Sequence, residues 1–274
     1  MKQHLLAAAL VIAATGPAAA YTSYILPADF SPESEMQLEA AFASTFFTPA
    51  IGLPADMTML NPNGARVTFD RVETSNQVTR AHAGVTRPGT YRISTGERMG
   101  AISTLVGENG AWRPLAQGEA APEGAETRTL QTVTVADTFF SVGAPNRTVV
   151  DQHVGTLALH PVTHPNQVLV ANGFVVELLF NGAPFANMPL VLYENGDADS
   201  DVGTYVVTDA SGRATLTFSA PGRYVVAARH RTDAPAGADA QVRSYTTTLT
   251  FEVMDALPNY PAPEPERRRR RDRD

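Results

Sequence analysis

Short runs of Val, Thr, Ile, Phe and Tyr alternate with Gly, Pro and Asn along most of the chain, and breaks about every ten residues are typical of β-sandwiches and barrels. In residues 213–218, alternate side chains Ala214, Leu216 and Phe218 share one face, which we expect to point into a core. The pattern predicts an all-β protein. The predicted strands cover 23–26, 36–43, 66–72, 89–94, 101–106, 129–135, 174–180, 190–193, 204–208, 213–218, 222–229 and 245–253.

Local signals fix some of these elements more firmly than others. Residues 33–43 contain Glu, Met, Gln, Leu and Ala, which also favour a helix; a strand is the preferred interpretation. Asn181-Gly182 is a hairpin turn signal between two apolar runs, and residues 209–212 give a second turn. Residues 118–126 are rich in Gly, Ala, Pro and Glu and predict a loop.

A weak internal repeat suggests two domains. Arg87-Pro88-Gly89-Thr90-Tyr91-Arg92-Ile93 matches Ala220-Pro221-Gly222-Arg223-Tyr224-Val225-Val226, and a tyrosine at such a strand start resembles the tyrosine corner of Greek-key sandwiches. A chain of 274 residues is also long enough for two domains. We therefore expect two tandem Ig-like β-sandwiches, at residues 21–150 and 168–255.

Both ends of the chain carry special signals. Residues 1–20 combine one charge, an apolar run and a small-residue cleavage site, which predicts a secretory signal peptide and a periplasmic or secreted protein. The apolar run is about half of the ~20 residues that a membrane-spanning helix needs, so no transmembrane anchor is expected. Residues 256–274 combine prolines with five consecutive arginines and predict a disordered tail. The simplest role of this tail is to increase solubility. An alternative role is contact with anionic envelope surfaces.

The amino-acid composition excludes some kinds of site and partner. The chain has no cysteine, so disulfides and thiolate metal ligands are excluded. Its formal net charge is -7, and Lys2 is its only lysine. Its positive charge is concentrated in the arginines of the tail. Because nucleic-acid binding needs a basic face, a nucleic-acid partner is not expected.

Three histidines lie in the link between the proposed domains. His153, His160 and His164 fall within twelve residues, and imidazole is the best remaining ligand for nickel, copper or zinc. Prolines follow two of them directly and disfavour a helix that would bring them onto one face. The alternatives are a metal site and a polar interdomain loop.

Two further patterns resemble metal ligands. Asp197, Asp199 and Asp201 alternate like calcium ligands, but no bidentate carboxylate follows at the twelfth position, so an EF-hand is rejected and hard-cation binding or a solvated loop remain. Met57 and Met59 have the spacing of thioether copper sites, although alternating methionines on a strand are more often core residues.

No signature of an enzyme is present. The chain lacks a G-x-S-x-G elbow and the glycine patterns of nucleotide-binding loops. We therefore do not expect an enzyme.

Several segments together resemble the DUF4198 family of exported proteins. They are residues 21–27, 41–47, 89–93, 159–165, 181–191 and 208–214. The resemblance implies a periplasmic accessory protein associated with nickel and cobalt uptake, and the last two segments are also similar to transthyretin-like, carboxypeptidase-regulatory sandwiches. Family members typically have histidine after the cleavage site, where this chain has Tyr21.

Two functional hypotheses follow. The first is a non-catalytic periplasmic binding or accessory protein for divalent metal, nickel or cobalt, acting with a metal-transport or outer-membrane protein. The second is a structural or protein-interaction module of the cell envelope with no metal ligand.

Overall fold

A computed structural model describes residues 21–116, 118–201 and 204–260. The predicted signal peptide and the arginines of the tail lie outside these residues. Within them the chain forms twenty β-strands, and no helix is long and apolar enough to cross a membrane. The first ten strands are β1 (Thr22–Pro27), β2 (Glu35–Ala43), β3 (Ile51–Gly52), β4 (Thr58–Leu60), β5 (Arg66–Val67), β6 (Arg71–Thr74), β7 (Thr79–Gly84), β8 (Gly89–Ser94), β9 (Arg98–Glu108) and β10 (Ala111–Pro114). The others are β11 (Thr127–Val142), β12 (Leu157–Pro161), β13 (Val168–Leu169), β14 (Phe174–Phe180), β15 (Ala183–Pro184), β16 (Pro189–Glu194), β17 (Tyr205–Val207), β18 (Arg213–Leu216), β19 (Gly222–Asp233) and β20 (Val242–Met254).

These strands form three sheets over the described residues. The first sheet has the order β1-β2-β7-β6, with β3 beside β2. An eleven-stranded central sheet has the path β17-β16-β19-β20-β11-β8-β4-β5, with β9, β10 and β13 attached. The third sheet contains β12, β14, β15 and β18. The all-β prediction is confirmed.

Two sandwich cores lie on the central sheet. In the first core, the first sheet packs on β4, β8 and β11; in the second core, the third sheet packs on β16, β19 and β20. Ala214 and Leu216 are buried in the second core and Phe218 packs against it, as their alternation predicts. Side chains of the first core include Ile25, Leu38, Met59, Ile93 and Phe140, and those of the second include Phe174, Leu190, Tyr224, Leu249 and Phe251.

The two cores share the central sheet. Strand β11 pairs in parallel with β20 from Leu130 opposite Val242 to Thr138 opposite Thr250. A third cluster packs the opposite face of β1 onto β16 and β19, so every residue of β1 is buried. The domain boundaries at residues 150 and 168 stay a prediction, since the shared sheet leaves the limits of each folding unit open. The third cluster includes Tyr24, Leu26, Phe46, Tyr193 and Val225.

Local signals explain most strand limits. Residues 35–43 form a strand, as preferred, and bury alternate side chains against the first core. Asn181 and Gly182 both have positive φ, at 53° and 75°, which is the backbone of a type I′ hairpin turn. The predicted strand at 66–72 is instead two short strands, β5 and β6, in different sheets.

The hydroxyl of each repeat tyrosine forms a hydrogen bond with the backbone four residues upstream. The Tyr224 hydroxyl donates to the carbonyl of Ala220 at 2.8 Å. The Tyr91 hydroxyl accepts from the backbone N–H of Arg87 at 3.1 Å. Each bond spans four residues, as in a tyrosine corner.

Candidate functional site

His160 lies on the exposed side of the third sheet between two carboxylates. It is on β12, directly opposite Glu177 on β14. Its Nδ1 lies 3.2 Å from Glu177 Oε2, and its Nε2 lies 3.4 Å from Asp151 Oδ1. The His160 side chain is only 18% exposed and that of Glu177 15%. The register of two neighbouring strands therefore fixes an imidazole and a carboxylate side by side.

His153 joins this group from the link. Its ring centroid lies 4.8 Å from that of His160, edge to face. Partial burial and the neighbouring His160 lower the pKa of His153, so its imidazole is neutral at pH 7. We call Asp151, His153, His160 and Glu177 the link cluster.

Two arginines surround the link cluster. Arg147 donates to Asp151 at 2.7 Å and to the carbonyls of Pro161 and Val162. Its hydrogen bond lowers the pKa of Asp151, which stays ionised. On the other side, Arg213 Nε lies 3.6 Å from Glu177 Oε1. These contacts fasten residues 147–153 to β12 and β14.

The third predicted ligand, His164, lies elsewhere. It is buried in the interior, and its Nδ1 accepts from the backbone N–H of Asn166 at 3.1 Å. Its Nε2 must then carry the proton, and it lies 3.0 Å from both the Asn146 carbonyl and Thr90 Oγ1. Since both ring nitrogens are occupied, the prediction that His164 belongs with His153 and His160 is not supported by its position. The prediction from sequence had no signal for the contacts with Thr90 and Asn146, which come from distant segments.

Metal binding would require small rearrangements of the link cluster. Among the described residues, no group of three or more His, Asp and Glu side chains is arranged to hold a metal ion. His153 is exposed and Asp151 is half exposed, so both can change rotamer without disturbing a core. The donor set of two imidazoles and carboxylates suits nickel, cobalt or zinc.

The acidic loop between β16 and β17 has a structural explanation for two of its three aspartates. Asp197 Oδ2 accepts from the backbone N–H of Glu194 at 2.8 Å and closes the turn. Asp199 is buried and forms an ion pair with Arg229, which also donates to Thr22 Oγ1 at 2.7 Å. Burial raises the pKa of Asp199, while Arg229 acts in the opposite direction. The carboxylates of Asp197 and Asp199 thus serve separate contacts, and hard-cation binding with Asp201 gains no support from this arrangement.

The methionine pair belongs to the core. Met57 is 6% exposed and Met59 is fully buried, and both pack in the first core. The positions of these residues therefore favour core packing over a copper site.

The buried ion pair of Arg92 and Asp137 was not among the predicted residues. Arg92 Nη2 lies 2.6 Å from Asp137 Oδ2, and Arg92 Nη1 donates to the Gln152 carbonyl. A charged residue at the centre of an otherwise apolar strand, as at each of these positions, is the signal that could have found them. Glu177, in the apolar run 174–180, carried the same signal for the link cluster.

The three sheets define an all-β protein with two β-sandwich cores. A family model described as a domain of unknown function, DUF4198, matches residues 18–232. The chain belongs to this family. A comparison with curated proteins gives no match.

The solved structures to which this chain is similar have low sequence identity and low TM-scores. The D0-D1 domain of intimin is 13% identical, with a TM-score of 0.21, over 84% of this chain and 96% of that one. A DUF4785 family protein from Legionella pneumophila is 8% identical, with a TM-score of 0.24, over 75% of this chain and 50% of that one. Trypsin-activated alpha-2-macroglobulin from Escherichia coli is 11% identical, with a TM-score of 0.23, over 85% of this chain and 16% of that one.

Proposed function

We propose that the protein is a non-catalytic accessory protein that works in the periplasm and binds a divalent metal, nickel or cobalt, at the link cluster. The single observation that carries this proposal is the position of His160, held between Asp151 and Glu177 with a second imidazole 4.8 Å away. The family resemblance supports the choice of nickel or cobalt.

The chemistry of the link cluster supports a site that loads at neutral pH. Metal ligands must be deprotonated, and binding to a protonated imidazole releases a proton. His153 is already neutral at pH 7 because its pKa is lowered. Asp151 is already ionised because Arg147 lowers its pKa. A metal ion would compete with Arg147 for the Asp151 carboxylate, so we expect a moderate affinity suited to delivery.

Calorimetric titration of the purified mature chain with Ni²⁺ and Co²⁺ tests the proposal. We expect one site with a dissociation constant well below about 1 mM. His160→Ala and His153→Ala should each weaken binding at least about tenfold, equal to about 1.4 kcal/mol. His82→Ala is the matched control, because His82 also faces a carboxylate, Glu35, at 3.5 Å but belongs to the first sheet. No binding below about 1 mM, or equal losses in all three variants, would contradict the proposal.

Export is a separate part of the proposal. N-terminal sequencing of the protein from a periplasmic extract should start at Tyr21, as the predicted cleavage after Ala20 requires. Recovery of the chain with Met1 in the cytoplasmic fraction would count against a periplasmic role. A gene for a metal-transporter permease beside this one would support metal uptake.

A second candidate is an envelope interaction module without a metal ligand. It is favoured by β17, the terminal strand of the central sheet's path, where Tyr205 and Val207 are 51% and 50% exposed. Exposed aromatic and branched side chains on a terminal strand suit pairing with another protein. Tyr205→Ser together with Val207→Thr should abolish capture of an outer-membrane partner and leave metal binding unchanged.

A further inference from the structure

A cleft of about 670 Å³ opens at the surface where the first sheet meets β19. One wall comes from β1, β2 and β7, and the other comes from the loop after β16 and from the start of β19. Small-molecule sites usually have volumes of about 300–1,000 Å³ and lie where two structural units meet. Residues that line it include Leu26, Glu39, Phe47, Arg80, Asn195 and Arg223.

Contacts of the lining residues hold both walls of the cleft in place. Arg223 Nη2 donates to the Ala28 carbonyl at 2.8 Å, which ties β19 to the end of β1. The Phe47 ring packs edge-on against Tyr24 at 5.4 Å. Phe47 has a φ of 62°, a left-handed conformation that a bulky residue adopts only where its surroundings impose it. The cleft is therefore preorganised.

Besides Arg223, the cleft holds two opposite charges that form no ion pair with each other. Glu39 on β2 and Arg80 on β7 are directly opposite in register. Glu39 Oε1 instead accepts from the Tyr24 hydroxyl at 2.9 Å. Burial and the Glu39 carboxylate raise the pKa of Tyr24, so its hydroxyl remains a donor. The Arg80 guanidinium forms no hydrogen bond or ion pair with any residue that the structure describes.

We propose that this cleft binds a free α-amino acid with an apolar side chain. Arg80 pairs with the α-carboxylate, since a guanidinium matches a carboxylate with two parallel hydrogen bonds. The free Oε2 of Glu39 accepts from the α-ammonium. Leu26 and Phe47 contact the apolar side chain. This site is separate from the link cluster and does not depend on metal binding.

Calorimetry on the mature chain, with a chelator present to remove metal, tests this proposal with L-leucine as the probe. L-Leucine should bind with a dissociation constant below about 1 mM. N-Acetyl-L-leucine lacks the ammonium and L-leucinamide lacks the carboxylate, so each should bind at least about tenfold more weakly. Glycine lacks the apolar side chain and should also bind more weakly.

Substitutions in the cleft test which protein charge binds which group of the amino acid. Arg80→Gln should weaken L-leucine at least about tenfold. Glu39→Gln keeps an acceptor for Tyr24; it should weaken L-leucine but leave N-acetyl-L-leucine unchanged. Arg231→Gln, an exposed arginine on β19 outside the cleft, is the control and should change nothing. Unchanged thermal midpoints would show that the variants are folded.

Three results would overturn the proposal. One is absence of L-leucine binding up to about 10 mM. Another is N-acetyl-L-leucine binding as tightly as L-leucine, which would leave only a carboxylate site. The third is equal affinity in wild type and Arg80→Gln. None of these results bears on nickel binding at the link cluster, so the two proposals fail separately.

Discussion

Arg92 and Asp137 form an ion pair inside the protein, where Arg92 Nη2 lies 2.6 Å from Asp137 Oδ2 and the side chains are 2% and 5% exposed. The pair joins β8 to β11 within the central sheet. The Arg92 guanidinium also lies 5.3 Å from the Phe139 ring centroid and donates to Gln152 in the link. The pair therefore connects β8, β11 and Phe139 of the second core to the segment that carries Asp151 and His153.

Removal of one charge of this pair should strongly destabilise the protein. Asp137→Asn leaves the Arg92 charge buried without its counter-ion, which costs about 3–5 kcal/mol in the free energy of unfolding. Urea unfolding monitored by circular dichroism measures this loss. Asp233→Asn is the control, because the Arg128–Asp233 pair is exposed and such pairs contribute at most about 1 kcal/mol. Equal losses in the two variants would show that the buried pair has no special role.

His164 should make stability depend on pH. Burial lowers the pKa of His164, and its Nδ1 accepts a hydrogen bond from Asn166 that protonation would break. In the unfolded chain histidine has a pKa of about 6.5, so below that pH the unfolded state binds more protons than the folded state. The stabilisation by neutral His164 is therefore complete above about pH 6.5 and is lost as the pH falls towards the lowered folded-state pKa.

The variant His164→Gln isolates this contribution. We expect it to be less stable than wild type by about 1–3 kcal/mol at pH 7.5, because it disturbs a buried hydrogen-bond network. The difference should shrink as the pH is lowered from 7 to 5, since glutamine does not titrate. Urea unfolding at several pH values measures both proteins, and a constant difference would contradict the role given to His164.

The two tyrosine corners should contribute similar stability. Tyr224→Phe removes the hydrogen bond to Ala220 and Tyr91→Phe removes the bond from Arg87. Each change should lower the free energy of unfolding by about 1 kcal/mol. Tyr21→Phe, at an exposed position, should have no effect. Wild-type stability in both variants would show that these two hydrogen bonds do not stabilise the fold.

Alanine substitutions at Gly182 and Gly212 distinguish backbone strain from steric clash, because both glycines have the same φ of 75°. A Cβ at Gly182 would have open space, whereas at Gly212 it would lie 2.8 Å from the Leu178 carbonyl oxygen and the Phe185 nitrogen. Gly182→Ala should cost about 1–2 kcal/mol from left-handed strain alone. Gly212→Ala should cost about 1–3 kcal/mol more, since the backbone must shift. Thermal unfolding of the two variants measures the difference, and equal costs would show that the space at Gly212 is not limiting.

Much of the fold could be predicted from local signals. Strand β14 has the predicted limits because its apolar run ends at Asn181-Gly182, and β8 has them because Gly89 opens it. Strand β11 continues to Val142, well beyond the predicted end at 135. Asp137 interrupts the apolar pattern there, and its partner Arg92, from another strand, explains how a charge is accommodated in the buried part of β11.

The metal site stays a prediction, but the relative positions of its proposed ligands can be compared with the structure. His153 and His160 lie together as ligands of one site would, because both are close in sequence on the link. Their carboxylate neighbour Glu177 depends on the register between β12 and β14, which no local pattern encodes. His164 lies apart from them because its ring contacts Thr90 and Asn146, which come from distant segments.

The measurement that tests the proposed function most directly is an X-ray structure of the mature protein soaked in Ni²⁺, with data collected at the nickel absorption edge. We predict an anomalous peak between His153 and His160, with nitrogen distances of about 2.1 Å and an oxygen ligand from Asp151 or Glu177. A link cluster without an anomalous peak, or a peak only at an unrelated histidine such as His82, would contradict the assignment of metal binding to this site.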